Sequence, residues 1–106
     1  MNEKLDKIHH TAIQVQNISK AVLWYTQHFK CKIEYQDSSW AMLKFANTSL
    51  ALVSADQHPY HFAIVQDDIS HYGLVSQHRD GTSSIYIKDE DGNNVEMLKL
   101  PNDKNK

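Results

Sequence analysis

Cysteine and arginine each occur once, as Cys31 and Arg79. A lone cysteine excludes an intrachain disulfide and any thiolate cluster, so a metal bound by this chain must be held by histidine and carboxylate. A lone arginine in a chain of net charge −2 removes the dense basic face that a phosphate backbone requires, and no nucleic-acid role is expected. No apolar run approaches the roughly 20 residues that cross a bilayer, and segment 1–7 lacks the apolar core of a signal peptide. The expectation is a cytoplasmic protein with no membrane partner. At 106 residues there is room for one domain, spanning 1–106. With 41% hydrophobic and 23% charged residues, the chain is too apolar for intrinsic disorder and should fold. Histidine is plentiful at seven, which turns attention to where the histidines fall.

The chain repeats itself. Setting segment 10–19 against segment 61–70 matches His10 with His61, Ala12 with Ala63, Ile13 with Ile64, Ile18 with Ile69 and Ser19 with Ser70. Both copies begin with a strand, at 8–15 and 60–65, followed by a polar corner (Gln16-Asn17 or Asp67-Asp68) suited to cap a helix. In the first copy Ile18, Val22, Tyr25 and Phe29 recur at helical spacing, which predicts an amphipathic helix packed on one face. In the second, Ile69, Tyr72 and Val75 keep part of that stripe, but Gly73 interrupts it. Segment 74–79 reads equally well as a short strand.

Each copy then closes with a hairpin: 40–45 with 48–54, and 83–88 with 94–100 around the turn 89–93. Matching the last strands pairs Leu50-Ala51-Leu52 with Val95-Glu96-Met97, so the second copy is six residues shorter than the first. An additional strand at 32–36 fits between helix and hairpin in the first copy. The predicted fold is therefore α+β. Two tandem βαβββ modules, one at about 7–55 and a shortened one at about 59–100, form an open, cup-shaped sheet with helices outside. The polar ends, 1–7 and 101–106, are expected to fray.

His10 and His61 occupy equivalent places on equivalent first strands, so a pseudo-twofold axis relating the modules brings them close. Glu96 lies in the last strand of module two, where period-2 alternation turns Val95 and Met97 to the opposite face. A carboxylate aimed into the concave face needs a partner, and a divalent cation with two imidazoles would provide one. Taken singly, a strand histidine or terminal-strand glutamate is ordinarily a surface or hydrogen-bonded residue. Their joint placement on the repeat makes a facial triad of metal ligands, with positions left for water and substrate.

Three stretches carry a family resemblance. They are Ile8-His-His-Thr-Ala-Ile13 with the following Asn-Ile-Ser-Lys-Ala-Val and Trp24-Tyr25, His61-Phe-Ala-Ile64 with Asp67-Asp68-Ile69, and Ile85 through Glu96. From Lys7 to Leu100 the chain resembles the vicinal oxygen chelate superfamily, which includes glyoxalase I, extradiol dioxygenases, methylmalonyl-CoA epimerase, fosfomycin thiol transferases and bleomycin resistance proteins. The resemblance implies that His10, His61 and Glu96 are the metal ligands. Where a fourth ligand usually stands, at the end of module one, this chain has Leu50-Ala51-Leu52. The three-ligand set resembles the dioxygenases and the fosfomycin transferases, but Ala12 replaces the transferases' functional threonine.

The expected function is that of a glyoxalase- or dioxygenase-like metalloprotein holding one divalent metal (iron, manganese, zinc or nickel). It would act on a small oxygen-bearing substrate by extradiol-dioxygenase-like or lyase and isomerase chemistry. The alternative is a metal-free small-molecule binder of the bleomycin-resistance kind. Glu96 and Tyr86 are the candidate catalytic groups: Tyr86, on the strand paired with Glu96, either lines the cavity as a proton or hydrogen-bond donor or packs in the core. Gln14, Trp40 and Met42 are candidate pocket walls. His9, His28, His58, His71 and His78 read as surface or supporting residues, and 89–91 as a solvated turn. Exposed sheet edges and a limited core predict a homodimer whose formation completes the metal cup.

Overall fold

The computed structural model describes residues 4–78 and 81–101. Lys7–Val15 form strand β1. Asn17, extended at the corner, accepts the Lys20 N–H on its side-chain oxygen at 2.9 Å and starts helix α1, Ile18–His28. The helix stops at Phe29, whose own N–H still reaches the Tyr25 carbonyl at 2.9 Å. Strands β2 (Lys32–Gln36), β3 (Trp40–Lys44) and β4 (Ser49–Ser54) complete module one. Module two runs through β5 (His61–Val65), a single 3-10 turn (Ser70–Tyr72), β6 (Ser76–Gln77), β7 (Ser83–Lys88) and β8 (Asn94–Lys99).

One open eight-stranded sheet in the order β2-β3-β4-β1-β5-β8-β7-β6 carries both modules. β1 runs parallel to β4 and β5 parallel to β8, while β1 and β5 meet antiparallel at the seam. The seam register sets His10 against Ala63, Thr11 against Phe62 and Ala12 against His61. A pseudo-twofold axis through the Thr11–Phe62 pair therefore exchanges the two histidines, as the repeat requires. The parallel pairs complete the correspondence. Ala12 lies beside Ala51 and Ala63 beside Glu96, so Ala51 is the counterpart of Glu96.

The core sits between α1 and the outer face of module one. Ile18 and Val22 on the helix meet Ala41, Leu43 and Leu52 on the sheet, with Ile13, Val15, Ala21 and Tyr25 around them. A smaller cluster of Ala12, Met42, Ala51 and Val53, with Trp40 against it, fills the opposite face of the same strands.

Helices on the outside were expected in both modules, but among the described residues module two has no α-helix. Sixteen residues separate β1 from β2 and only ten separate β5 from β6, too few for a helix and its two connections. Asp68 still caps the turn, accepting the Ser70 N–H at 3.0 Å and its hydroxyl at 2.7 Å, and Ile69 is buried like its counterpart Ile18. The turn then ends at Gly73, where φ is +139° and a Cβ would stand 3.0 Å from the Ile85 side chain. Of the two readings of segment 74–79, the described residues show the short strand, at Ser76–Gln77, and a 3-10 turn precedes the segment. Arg79 lies outside the described residues, as do 1–3 and 102–106 of the ends expected to fray. Among the described residues no helix is long and apolar enough to cross a membrane.

Candidate metal centre

Four residues stand side by side across the sheet: His10 on β1, Ala63 on β5, Glu96 on β8 and Tyr86 on β7. Neighbours in register project to the same face, and His61, two residues before Ala63, shares that face. Ala63, 0% exposed, is the floor of the arrangement. A larger side chain there would occupy the space that His10, His61 and Glu96 converge on.

The convergence is close. His10 Nε2 lies 3.4 Å and His61 Nε2 3.3 Å from Glu96 Oε1, and one donor atom from each residue falls within 4.8 Å of the others. These separations are long for ion-paired hydrogen bonds, which usually run about 2.7–2.9 Å. They suit neighbouring ligands on a sphere of about 2.1 Å radius, the bond length of imidazole and carboxylate to a first-row divalent metal. The imidazoles are also prepared for coordination. A carbonyl can only accept, so the 2.8 Å contact of His61 Nδ1 with the Pro59 oxygen puts a proton on Nδ1 and makes Nε2, which faces Glu96, the nitrogen available to a metal. His10 Nδ1 is engaged by His9 Nδ1 at 2.8 Å, which likewise leaves its Nε2 turned inward. The donor set fits a divalent cation, and all three groups come from one chain.

Electrostatics agree with this geometry. Burial raises the affinity of Glu96 for a proton, but the hydrogen bonds and positive charge offered by His10 and His61 outweigh it and hold the carboxyl well below the usual range. Burial, with the Glu96 charge beside it, pushes the Tyr86 hydroxyl above its ordinary value, so it stands as a neutral O–H donor. The Tyr86 ring meets the His61 ring edge to face at 5.0 Å, and Tyr86 is 39% exposed.

The other candidates separate. Trp40 and Met42 belong to the packed apolar cluster, and Trp40 stacks on Tyr35 at 4.4 Å. Gln14 donates to the His58 carbonyl at 2.9 Å. His28 stacks on Trp24 and His71 lies on Tyr72, while His78 meets the Ser84 hydroxyl at 2.8 Å. Asp89 closes its turn by accepting from the backbones of Asp91 and Asn93, as a solvated turn does. Sequence reasoning gave no place in the site to the linker between modules. There Pro59 orients His61, and His58 Nδ1 lies 3.5 Å from the Tyr86 hydroxyl. The position of His58, three residues ahead of a ligand candidate, was the one available signal.

No protein-family model matches the chain, and no curated protein matches it. Solved structures do. A hypothetical protein from Bacillus halodurans C-125 superposes with a TM-score of 0.76 at 16% identity, covering 93% of this chain and 97% of its own. A glyoxalase/bleomycin resistance protein/dioxygenase superfamily member from Vibrio splendidus 12B01 superposes with a TM-score of 0.69 at 9% identity, covering 90% and 99%. The strand order, the paired modules and these likenesses define a vicinal oxygen chelate fold, the fold of the glyoxalase and dioxygenase superfamily. Within it, His10, His61 and Glu96 form a cluster that could hold an ion.

Proposed function

We propose that this protein is a metalloprotein of the glyoxalase/dioxygenase kind that binds one divalent metal through His10, His61 and Glu96 and acts on a small oxygen-bearing substrate. The observation that carries this reading is the meeting of three donor atoms from three strands over Ala63, with His61 Nδ1 held by the Pro59 carbonyl and its Nε2 turned to Glu96. A divalent metal in that place supplies Lewis acidity toward substrate oxygens; iron, manganese, zinc and nickel all suit two imidazoles and a carboxylate. The chain's own contribution is to hold those donors convergent in a nearly dry setting and to place the Tyr86 O–H next to them as a hydrogen-bond or proton donor. Dioxygenase-like and lyase or isomerase chemistry both use such a set.

The protein is further proposed to act in the cytoplasm, where the free thiol of Cys31 stays reduced. It is also proposed to pair as a homodimer with a centre complete in each chain. The exposed edge strand β2 and the exposed Leu23, Trp24 and Phe29 support the pairing. Metal analysis of purified protein is the test of the central claim. About one equivalent of divalent metal per chain is expected, while protein that arrives metal-free and refuses added metal would replace the enzyme with a simple binder.

A further inference from the structure

The two sides of the candidate centre differ in access. On the module-one side the concave face is packed shut: Met42 is 9% exposed and Ala51 2%, with Ala12, Val53 and Trp40 closing around them. On the module-two side Tyr86 is partly open to solvent, and His58 stands above it. A ligand approaching over the partly open Tyr86 would meet His58 beside it.

His58 is held there by the linker that joins the modules. Gln14, from β1, donates to its carbonyl at 2.9 Å, and the next carbonyl, Pro59, takes the His61 Nδ1–H at 2.8 Å. Two neighbouring carbonyls of one short segment are thus tied to β1 and to a ligand candidate. The His58 ring lies beside the Tyr86 hydroxyl, near enough to feel His61, Glu96 and His78. Its 3.5 Å approach to the Tyr86 hydroxyl is loose for a hydrogen bond, so both groups can turn to a third partner without giving up a strong contact. Burial and the nearby His61 keep the His58 imidazole toward its neutral form, able to offer one N–H.

We infer that His58 is a ligand-contacting residue of this centre, acting with Tyr86 to bind a small oxyanion that enters from the module-two side. The inference rests on the metal-centre reading above. A divalent cation with two neutral imidazoles and one carboxylate keeps one net positive charge, and the groups bordering the open side offer an O–H and an N–H, which together select an anionic, oxygen-bearing ligand. The linker is then part of the site. The connection that spaces the modules also presents the residue that recognises what binds between them.

The test uses full-length protein loaded with cobalt(II), whose visible spectrum reports both uptake and changes in coordination, titrated with oxalate as the probe oxyanion. Wild type should take up cobalt and bind oxalate. His58→Ala should keep its cobalt and bind oxalate about tenfold more weakly, the scale of one hydrogen bond to a charged group. Tyr86→Phe should weaken it similarly, and the double variant should lose less than the two effects combined. His71→Ala, on the outside of module two, serves as the control and should match wild type. Unchanged oxalate affinity in cobalt-loaded His58→Ala overturns the inference while leaving the metal centre standing, and so does loss of cobalt in that variant alone. Failure of wild type itself to take up cobalt overturns the metal centre, and this inference with it.

Discussion

In module one, Ala41, Leu43 and Leu52 lie under α1, whereas the counterparts of these residues in module two, Ile85, Ile87 and Met97, belong to a module whose described residues between β5 and β6 form one 3-10 turn instead of an α-helix. On the concave face the contrast reverses. The register makes Met42 the counterpart of Tyr86, Trp40 of Ser84 and Ala51 of Glu96. Where module two has polar groups at these positions module one has apolar ones, and it packs both faces of its strands. Module two keeps the phenol, hydroxyl and carboxylate and stays partly open. One repeated plan is used in two ways: module one holds the two buried apolar clusters, and module two most of the candidate donor groups, with His10 contributed by module one across the seam.

The comparison can be broken most severely at the centre itself. Glu96→Ala and His61→Ala are expected to abolish stoichiometric metal binding. Groups that merely support a ligand change affinity by about 10- to 100-fold, so losing a ligand should exceed about 100-fold. Both variants should keep a wild-type circular dichroism spectrum, because neither residue belongs to the core under α1. Full metal content in either would end the three-ligand assignment.

Stability should show the opposite bias. Leu52→Ala, beneath the helix, is expected to cost about 3–4 kcal/mol, and Met97→Ala, its counterpart, about 2 kcal/mol, because the thinner cover of module two relaxes more easily around a cavity. Urea unfolding of the two variants decides it. Equal losses would mean that module two is packed as firmly as module one.

Ala51→Glu sharpens the comparison by restoring to module one what module two has. With metal present the added carboxylate should tighten binding about tenfold as a fourth ligand. Without metal the same variant should melt below wild type, since a second carboxylate then lies buried without a partner. Calorimetric titration with and without a chelator separates the two effects, and unchanged metal affinity would show that Ala51 does not face the centre.

The smallest effect is expected at the turn between β2 and β3. Asp37 accepts from the Tyr35 hydroxyl and from the backbone N–H groups of Ser39 and Trp40, which lowers its pKa from 3.8 to about 2. A depressed carboxylate stabilises the fold above its ordinary value and loses that contribution as pH falls through the depressed one, here between about 4 and 2. A carboxyl titration by NMR should place the Asp37 midpoint near 2. A midpoint at the ordinary value would show that the turn is not closed in solution.

Much of this architecture was legible in order and spacing. The match of segment 10–19 with 61–70 identified the modules, and the matched last strands identified Glu96 and its missing counterpart Ala51. Both alignments reappear as strand register, at Thr11–Phe62 and at Ala12–Ala51 against Ala63–Glu96. Gly73 and the six missing residues foretold the poor second helix. Periodicity and repetition are properties of the backbone plan, and a local pattern is enough to record them.

The contacts around the centre were not legible in this way. That Pro59 would orient His61, that His9 would engage His10, and that His58 would face Tyr86 follow from where a linker crosses the sheet. Nothing in the spacing of those residues encodes it. Nor could alternation tell that Met42, Ala51 and Trp40 close one side of the cup while Tyr86 leaves the other open, since all of them lie on the same face by period two. By itself the sequence determined which residues share a face and which positions are equivalent, because these depend on chain period alone. The tertiary structure decided which of those residues touch, which nitrogen of His61 faces Glu96 and which side of the centre is packed with apolar groups, because these depend on packing between segments far apart in the chain.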